Sequence, residues 1–312
     1  MKSRERVVNT ISGNDKMDRF PIFLTLNGIK PQSSMAGHSS VVTNSIPKSQ
    51  NLVKLRKELK KRGDLVHLFE FPEFDRRFFL IPNKHINSRI KKTNEHIIKD
   101  YTVKTPKGEL YYQEKEEEGI KTTWTTKPLL ESKEDVKKIL SVPWEMDREN
   151  IDQSIKSYNK HISSKKNWVR YIWISNPLVC ISHMFNMEKF LKLTITDKKL
   201  IHKLISEVKR RIESRLEYVL EQDVGDIYRF GGSEQATPPM MSSESYDEFV
   251  VKYDKDLFSL VHEYEKLVQV HVHGNVSGIL KKMTNMGVDA TDPLEPPPQG
   301  DITLKEAIDI TE

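Results

Sequence analysis

The chain has 312 residues, 37% of them hydrophobic and 30% charged, a balance that excludes a disordered or membrane-embedded protein and predicts a packed globular one. The 50 Lys and Arg against 45 Asp and Glu leave a net charge of +5, but the two signs are interspersed along the predicted helices, which argues against a nucleic-acid partner. One cysteine, Cys180, excludes an internal disulfide and any metal site built on paired thiolates; with no apolar run of ~18 residues and no apolar leader after the charged N-terminus, a cytoplasmic protein with no membrane partner is expected.

Ser3 as a helix cap and a Val7/Val8/Ile11 stripe predict a short first helix closed by Gly13. Phe20–Leu26 reads as a first strand, residues 28–49 as a Ser/Gly/Pro-rich loop, and Leu52–Arg62 as a helix stopped by Gly63. Leu65–Phe71 is a second strand that runs into Glu70, Glu73 and Asp75. Between Tyr101 and Thr126 the period switches to two, with turn signals at 105–108 and 114–119, which predicts an antiparallel hairpin insertion. Ser132 caps a helix at Val136–Leu140, and Trp168–Ile174 is a third strand ending at Asn176-Pro177. Met184–Gln222 has helical spacing long enough for two helices, and Asp226–Gly231 follows as a strand. Ser243–Glu265 is helical, Leu267–Gly274 a strand, Val276–Met286 a helix, Val288–Asp292 a short strand, and a last helix starts at Leu304. Alternating strands and helices predict an α/β protein with a parallel sheet: a single TIM (β/α)8-type barrel domain over 1–312 with an insertion at about 101–126. Six strands are predicted where a full barrel needs about eight, so the last two are expected to be lacking from this chain.

The sharpest chemical signal is Leu267–Gly274, where alternation puts three valines on one face and Gln269, His271 and His273 on the other. In a barrel the valines pack under helices and the polar face looks inward, so the two imidazoles reach the mouth, where they can share a metal or divide acid and base roles. The alternative is a hydrogen-bonded pair of interior histidines. Gly231 and Gly232 follow another strand and allow a sharp turn and close approach to a ligand, and Glu234 beyond them could complete a metal set, act as a base, or merely cap the next helix. Carboxylates past strand ends, Glu70, Glu73 and Asp75 on one side and Asp292 and Glu295 on the other, are further candidates, each individually explicable as solvated surface.

The run Ser3-Arg4-Glu5-Arg6-Val7 through Asp18-Arg19-Phe20-Pro21, the Asn176-Pro177 pair, Pro239-Met240-Met241-Ser242 before Tyr246, Phe249 and Tyr253, and above all His271-Val272-His273-Gly274-Asn275 followed by Met286-Gly287-Val288-Asp289-Ala290 resemble the uroporphyrinogen decarboxylase superfamily. The resemblance covers nearly the whole chain and implies an enzyme on a barrel that continues past Glu312. It implies two activities. True decarboxylases hold their substrate's carboxylates with an arginine-rich segment after the first strand, but Leu24–Lys30 here has one lysine and no arginine. Corrinoid-dependent methyltransferases of the superfamily bind zinc through His-x-Cys and a later Cys, and so acidify a thiol that accepts the methyl group. His271 matches the first ligand and His273 stands at the second, while the third would fall beyond the chain. The favoured expectation is therefore methyl transfer from a corrinoid on a partner protein to a thiol or similar small acceptor, with zinc on His271 and His273, Glu234 as third ligand or base, Glu295 as a further catalytic carboxylate, and Gly231, Gly232 and Asn176 against the cofactor. The alternatives are decarboxylation of a porphyrinogen, with Asp75 stabilising a protonated pyrrole and the histidines donating protons, and a truncated barrel that binds without catalysis.

Overall fold

A computed structural model describes residues 1–14, 18–22, 58, 63–74, 77–93, 95–117 and 122–312. Most of the predicted first strand and first loop, the helix at Leu52–Arg62 and the candidate Asp75 lie outside the described residues. The architecture is a parallel sheet flanked by helices, with an antiparallel sheet inserted after the first parallel strand. The parallel strands are β1 (Val66–Glu70), β6 (Val169–Ser175), β7 (Ile227–Gly231), β8 (Leu267–His271) and β9 (Ala290–Asp292), hydrogen-bonded in that order. Among the described residues they form an open arc with β1 and β9 at its edges; the eight strands of a closed barrel are not reached.

The register explains how the arc is filled, because parallel pairing places residues of one row on one face. Leu68, Tyr171, Ile227 and Leu267 align across four strands, and this apolar row packs with Val7 and Ile11 of helix α1 (Ser3–Ile11) at the end where the strands begin. Two residues on, the next inward row is Glu70, Trp173, Arg229, Gln269 and Ala290, and the last is Ser175, Gly231, His271 and Asp292. Polarity thus rises toward the carboxyl ends. The opposite rows, Ile172/Tyr228/Val268 and Ile174/Phe230/Val270, are buried in the main core together with helices α6 (Lys198–Leu220) and α8 (Lys252–Glu263). The valine face of β8 is therefore the helix-covered one, as its alternation predicts.

Helix α1 departs from its expected cap: Lys2 is the N-cap residue, and Ser3 Oγ instead accepts from Leu65 N at 3.1 Å, tying the helix to β1. The predicted helices at Ser132 and over Met184–Gln222 form as α2 (Lys133–Ile139), α5 (Met187–Thr196) and α6. Helix α3 (Arg148–Ile162) had no reading from sequence, and α4 (Pro177–Ser182) forms at the helix start past Asn176-Pro177. The span Ser243–Glu265 is interrupted: a short α7 (Ser243–Tyr246) passes through a π turn at Asp247–Val251 before α8. Helices α9 (Ser277–Asn285) and α10 (Leu304–Thr311) complete the chain. The alternating stretch from Tyr101 belongs to a four-stranded antiparallel sheet, β2 (Ile86–Lys92), β3 (His96–Thr105), β4 (Gly108–Glu117) and β5 (Thr123–Lys127). No helix among the described residues is long and apolar enough to cross a membrane.

Two features of the periphery carry energetic consequences. Phe78, Phe79 and Leu80 have φ of 55, 58 and 54°, a run of left-handed residues that are not glycine, each costing roughly 1–2 kcal/mol. Their turn is held by guanidinium groups from α6: Arg211 Nη1 donates to Phe79 O at 3.2 Å and Arg215 Nη2 to Leu80 O at 2.6 Å.

The second feature is His67 on the helix-covered face of β1, 1% exposed, stacked on His161 at 4.7 Å, with no partner for either ring nitrogen. Burial lowers its imidazole to about 4, with the charges of His161 and Lys165 adding to the effect. Because the folded value lies below the unfolded one, the stability His67 confers is complete above about pH 6.5 and is lost as the pH falls toward about 4, up to about 3 kcal/mol for one such group. Urea unfolding at pH 7.5 and pH 4.5 should show this loss in wild type and a smaller one in His67→Phe; equal losses in the two would remove His67 as the cause.

Candidate active site

At the carboxyl ends of the strands β8 delivers His271 into the last inward row, and the chain then turns so that His273 stands just beyond it. The rings are 4.7 Å apart and edge-on to each other. His271 is largely shielded and His273 half-exposed, with side-chain exposures of 22% and 53%. Each imidazole is backed through Nδ1. His271 Nδ1 lies 3.1 Å from the backbone oxygen of Asp292 and 3.3 Å from its Oδ2; His273 Nδ1 lies 3.2 Å from Glu295 Oε1. The other oxygen of Glu295 accepts from Gly274 N at 2.8 Å, so that carboxylate anchors both the backbone and the ring of the turn after β8.

A guanidinium completes the row. Arg229, two residues before the end of β7, donates through Nε to Asp292 Oδ1 at 3.2 Å and through Nη2 to Oδ2, and its Nη2 also lies 2.8 Å from His271 Nδ1. Gln269 Nε2 donates to Asp292 Oδ1 at 3.0 Å, and the Arg229 guanidinium rests on the Trp173 ring, 5.0 Å from its centre. His271 Nδ1 thus faces a donor and two acceptor oxygens, and its tautomer follows from which prevails. Burial works to raise the Asp292 carboxyl, but the hydrogen bond from His271 and the charge of Arg229 outweigh it and leave the group below its ordinary value. Glu295 is lowered as well, first by the Gly274 N–H and then by His273. An ionised Asp292 favours the proton on His271 Nδ1, which would free Nε2 as a donor of electrons, while the 2.8 Å contact from Arg229 Nη2 favours the opposite tautomer.

The other expected residues take different places. Glu234 does not meet an imidazole; its Oε1 accepts from the backbone N of His273 at 3.4 Å, and the ring partner is Glu295. Gly232 has φ +57°, and a Cβ there would lie 2.5 Å from Glu234 Oε2, so glycine is required for the turn that aims Glu234 inward. Gly231 is needed for another reason: the Trp173 ring occupies the space of its missing side chain, 2.2 Å from where a Cβ would stand. Asn176, expected against a cofactor, is tied up in hydrogen bonds within the protein. Asn176 is 2% exposed, its Oδ1 caps α4 by accepting from Val179 N at 2.8 Å, and its Nδ2 donates to Ser233 Oγ and to Asp254 Oδ2, the latter at 2.9 Å. It fastens the Gly232–Glu234 turn to α8. Burial raises the Asp254 carboxyl to about 8, so at neutral pH it is mostly protonated within this network.

Sequence reasoning missed Arg229 and Trp173, although an arginine inside the otherwise apolar Ile227–Gly231 was a visible signal. As a metal site, His271 and His273 offer two imidazoles whose Nδ1 atoms are held by carboxylates, the usual support of a metal-binding histidine. Among the described residues no third His, Cys, Asp or Glu joins them in a group with ligand spacing. A cavity of about 570 Å³ lies at the opposite end of the strands around α1 and is no part of this constellation.

A family model described as uroporphyrinogen decarboxylase (URO-D) matches residues 119–294, more than half of the chain. Among solved structures the chain is similar to a methyltransferase from Methanosarcina mazei, with a TM-score of 0.57 and 12% identity over 100% of this chain and 80% of that one, a likeness of fold. A search of curated proteins finds no match.

Proposed function

The chain belongs to the uroporphyrinogen decarboxylase family, and from that premise we propose that it is an enzyme transferring a methyl group to a small thiol or similar acceptor, with His271 and His273 at the reacting centre. The observation that carries this reading is the pair of imidazoles backed at Nδ1 by Asp292 and Glu295, which leaves both Nε2 atoms to face a ligand. The fold likeness to a methyltransferase adds support. Charge disfavours a porphyrinogen: Asp292, Glu295 and Glu234 gather here, while Arg229 is already committed to Asp292 and offers no free clamp for a multiply anionic substrate.

His271 and His273 are the residues that would hold zinc, and zinc bound there would lower the pKa of the acceptor thiol toward neutrality. Glu234, at the rim, is the candidate base for the thiol proton. The sulfur then forms its bond to the methyl carbon as the bond from carbon to the donor breaks, the electron pair leaving with the donor, for which a corrinoid on a partner protein is the proposed carrier. Arg229 and Gln269 keep the Asp292 carboxylate in place throughout.

The test is zinc content together with methyl transfer from methylcobalamin to 2-mercaptoethanol, in wild type, His271→Ala and His273→Ala. Metal bound by the wild type, thiol methylation, and loss of both in each variant are the expected results. A wild type that takes up no zinc from supplemented buffer and methylates no thiol would sink the proposal, and release of CO2 from a porphyrinogen would replace it with the decarboxylase.

A further inference from the structure

Outside this site the least satisfied charged group of the core is Arg215, on the inner side of α6. It is 3% exposed; Nη2 is held by Leu80 O, but among the described residues Nε and Nη1 have no acceptor. A buried guanidinium with two unmet donors is costly to keep, and burial lowers Arg215 to about 10, with the neighbouring Arg211 contributing. Arg215 forms part of the wall of a cavity of about 440 Å³ between the left-handed turn at Phe78–Leu80, the start of β2 and the N-terminus of α3.

The other charged residues that line the cavity among those described, Glu73 and Asp147, have partners of their own. The Glu73 carboxylate accepts from Ser154 Oγ at 3.1 Å, and Asp147 accepts from Asn150 N at 3.2 Å and Nδ2 at 2.6 Å. Neither hydrogen-bonds to Arg215. Much of the remaining wall is apolar, with Phe78, Ile81 and Ile86 prominent. An occupant that suits this wall presents one acceptor to the guanidinium and hydrocarbon to the rest. A dianion such as phosphate would feel about twice the repulsion of a monoanion from the two resident carboxylates and leave the apolar surface uncovered.

We propose that this cavity binds a small monocarboxylic acid with an apolar body, its carboxylate completing the hydrogen bonds of Arg215 and its body lying on Phe78, Ile81 and Ile86. The site is separate from the histidine pair and does not depend on the methyl-transfer reading. Its test is calorimetric titration of the whole chain with phenylacetate and hexanoate, with phenylacetamide as the uncharged control. Wild type should bind both acids saturably and the amide roughly tenfold or more weakly, the worth of one charge-assisted hydrogen bond. Arg215→Met removes the donors and should abolish acid binding; Ser88→Trp fills the cavity from β2 without touching Arg215 and should do the same, so the test survives if the first variant fails to fold. Absence of saturable binding by either acid in the wild type, equal binding of acid and amide, or unchanged binding in a folded variant would each overturn the proposal.

Discussion

Replacing Asp292 with alanine is expected to lower methyl transfer by about 10- to 100-fold, the usual effect of losing a carboxylate that supports a metal-binding or catalytic histidine. The size follows from how many groups depend on it. Asp292 receives Nε and Nη2 of Arg229, Nε2 of Gln269 and, through Oδ2, Nδ1 of His271. Without it the Arg229 guanidinium, 15% exposed, keeps its charge but loses its partner, and His271 faces that cation alone. Exposed ion pairs are worth ~1 kcal/mol or less and breaking buried ones costs ~3–5 kcal/mol, so a half-buried pair should lose about 2 kcal/mol of stability. Asp292→Asn separates the two effects: its amide oxygen can still accept from Arg229 and Gln269, so stability should mostly survive while the charge that favours the proton on His271 Nδ1 is gone. Denaturant melts and steady-state rates on both variants check this. Full activity in a destabilised Asp292→Ala would mean that Asp292 is structural and that His271 needs no orienting partner.

What could be read from sequence and what could not divide along the distance between partners in the chain. The inward face of β8 was legible because alternation is local: Val268 and Val270 pack under helices and His271 points inward with no information beyond five residues. The partners of the imidazoles were not, because they depend on register. Asp292 meets His271 only because β9 pairs with β8 in that alignment, and Glu295 displaces Glu234 as the ring partner because the turn after β9 folds back over Gly274. Asn176 carried a local signal that pointed elsewhere, since Asn followed by Pro at the first helical position is a helix start, and the structure uses it as one. Strand β2 escaped notice because its residues are mostly exposed on both faces, so no apolar alternation marks it. Arg211 and Arg215 carry no local signal within an amphipathic helix; their buried partners are Phe79 and Leu80, more than a hundred residues earlier.

The turn that brings Glu295 to the site is also its most sterically exacting part, and Gly300→Ala is expected to be the most damaging glycine substitution near it. A Cβ at Gly300 would stand 2.2 Å from Glu295 O and 2.8 Å from Gly274 O, backbone atoms on two sides, so no side-chain rotation can make room. The segment from Glu295 to Gly300 must then move away from Gly274, and the bonds from Gly274 N and His273 Nδ1 to Glu295 are the first to be lost. Overpacking that forces backbone shifts costs up to about 3 kcal/mol, and the site loses the carboxylate behind His273 as well. Gly274→Ala is the control, because nothing lies within 4 Å of its added methyl and only the φ of +86° is strained. That variant should lose about 1 kcal/mol and keep the Glu295 contacts. Thermal melts should therefore separate the two, and zinc affinity and methyl transfer should fall in Gly300→Ala well below their values in Gly274→Ala. If Gly300→Ala melts and turns over like the wild type, the 295–300 turn is not packed against Gly274, and Glu295 loses its assignment as the partner of His273.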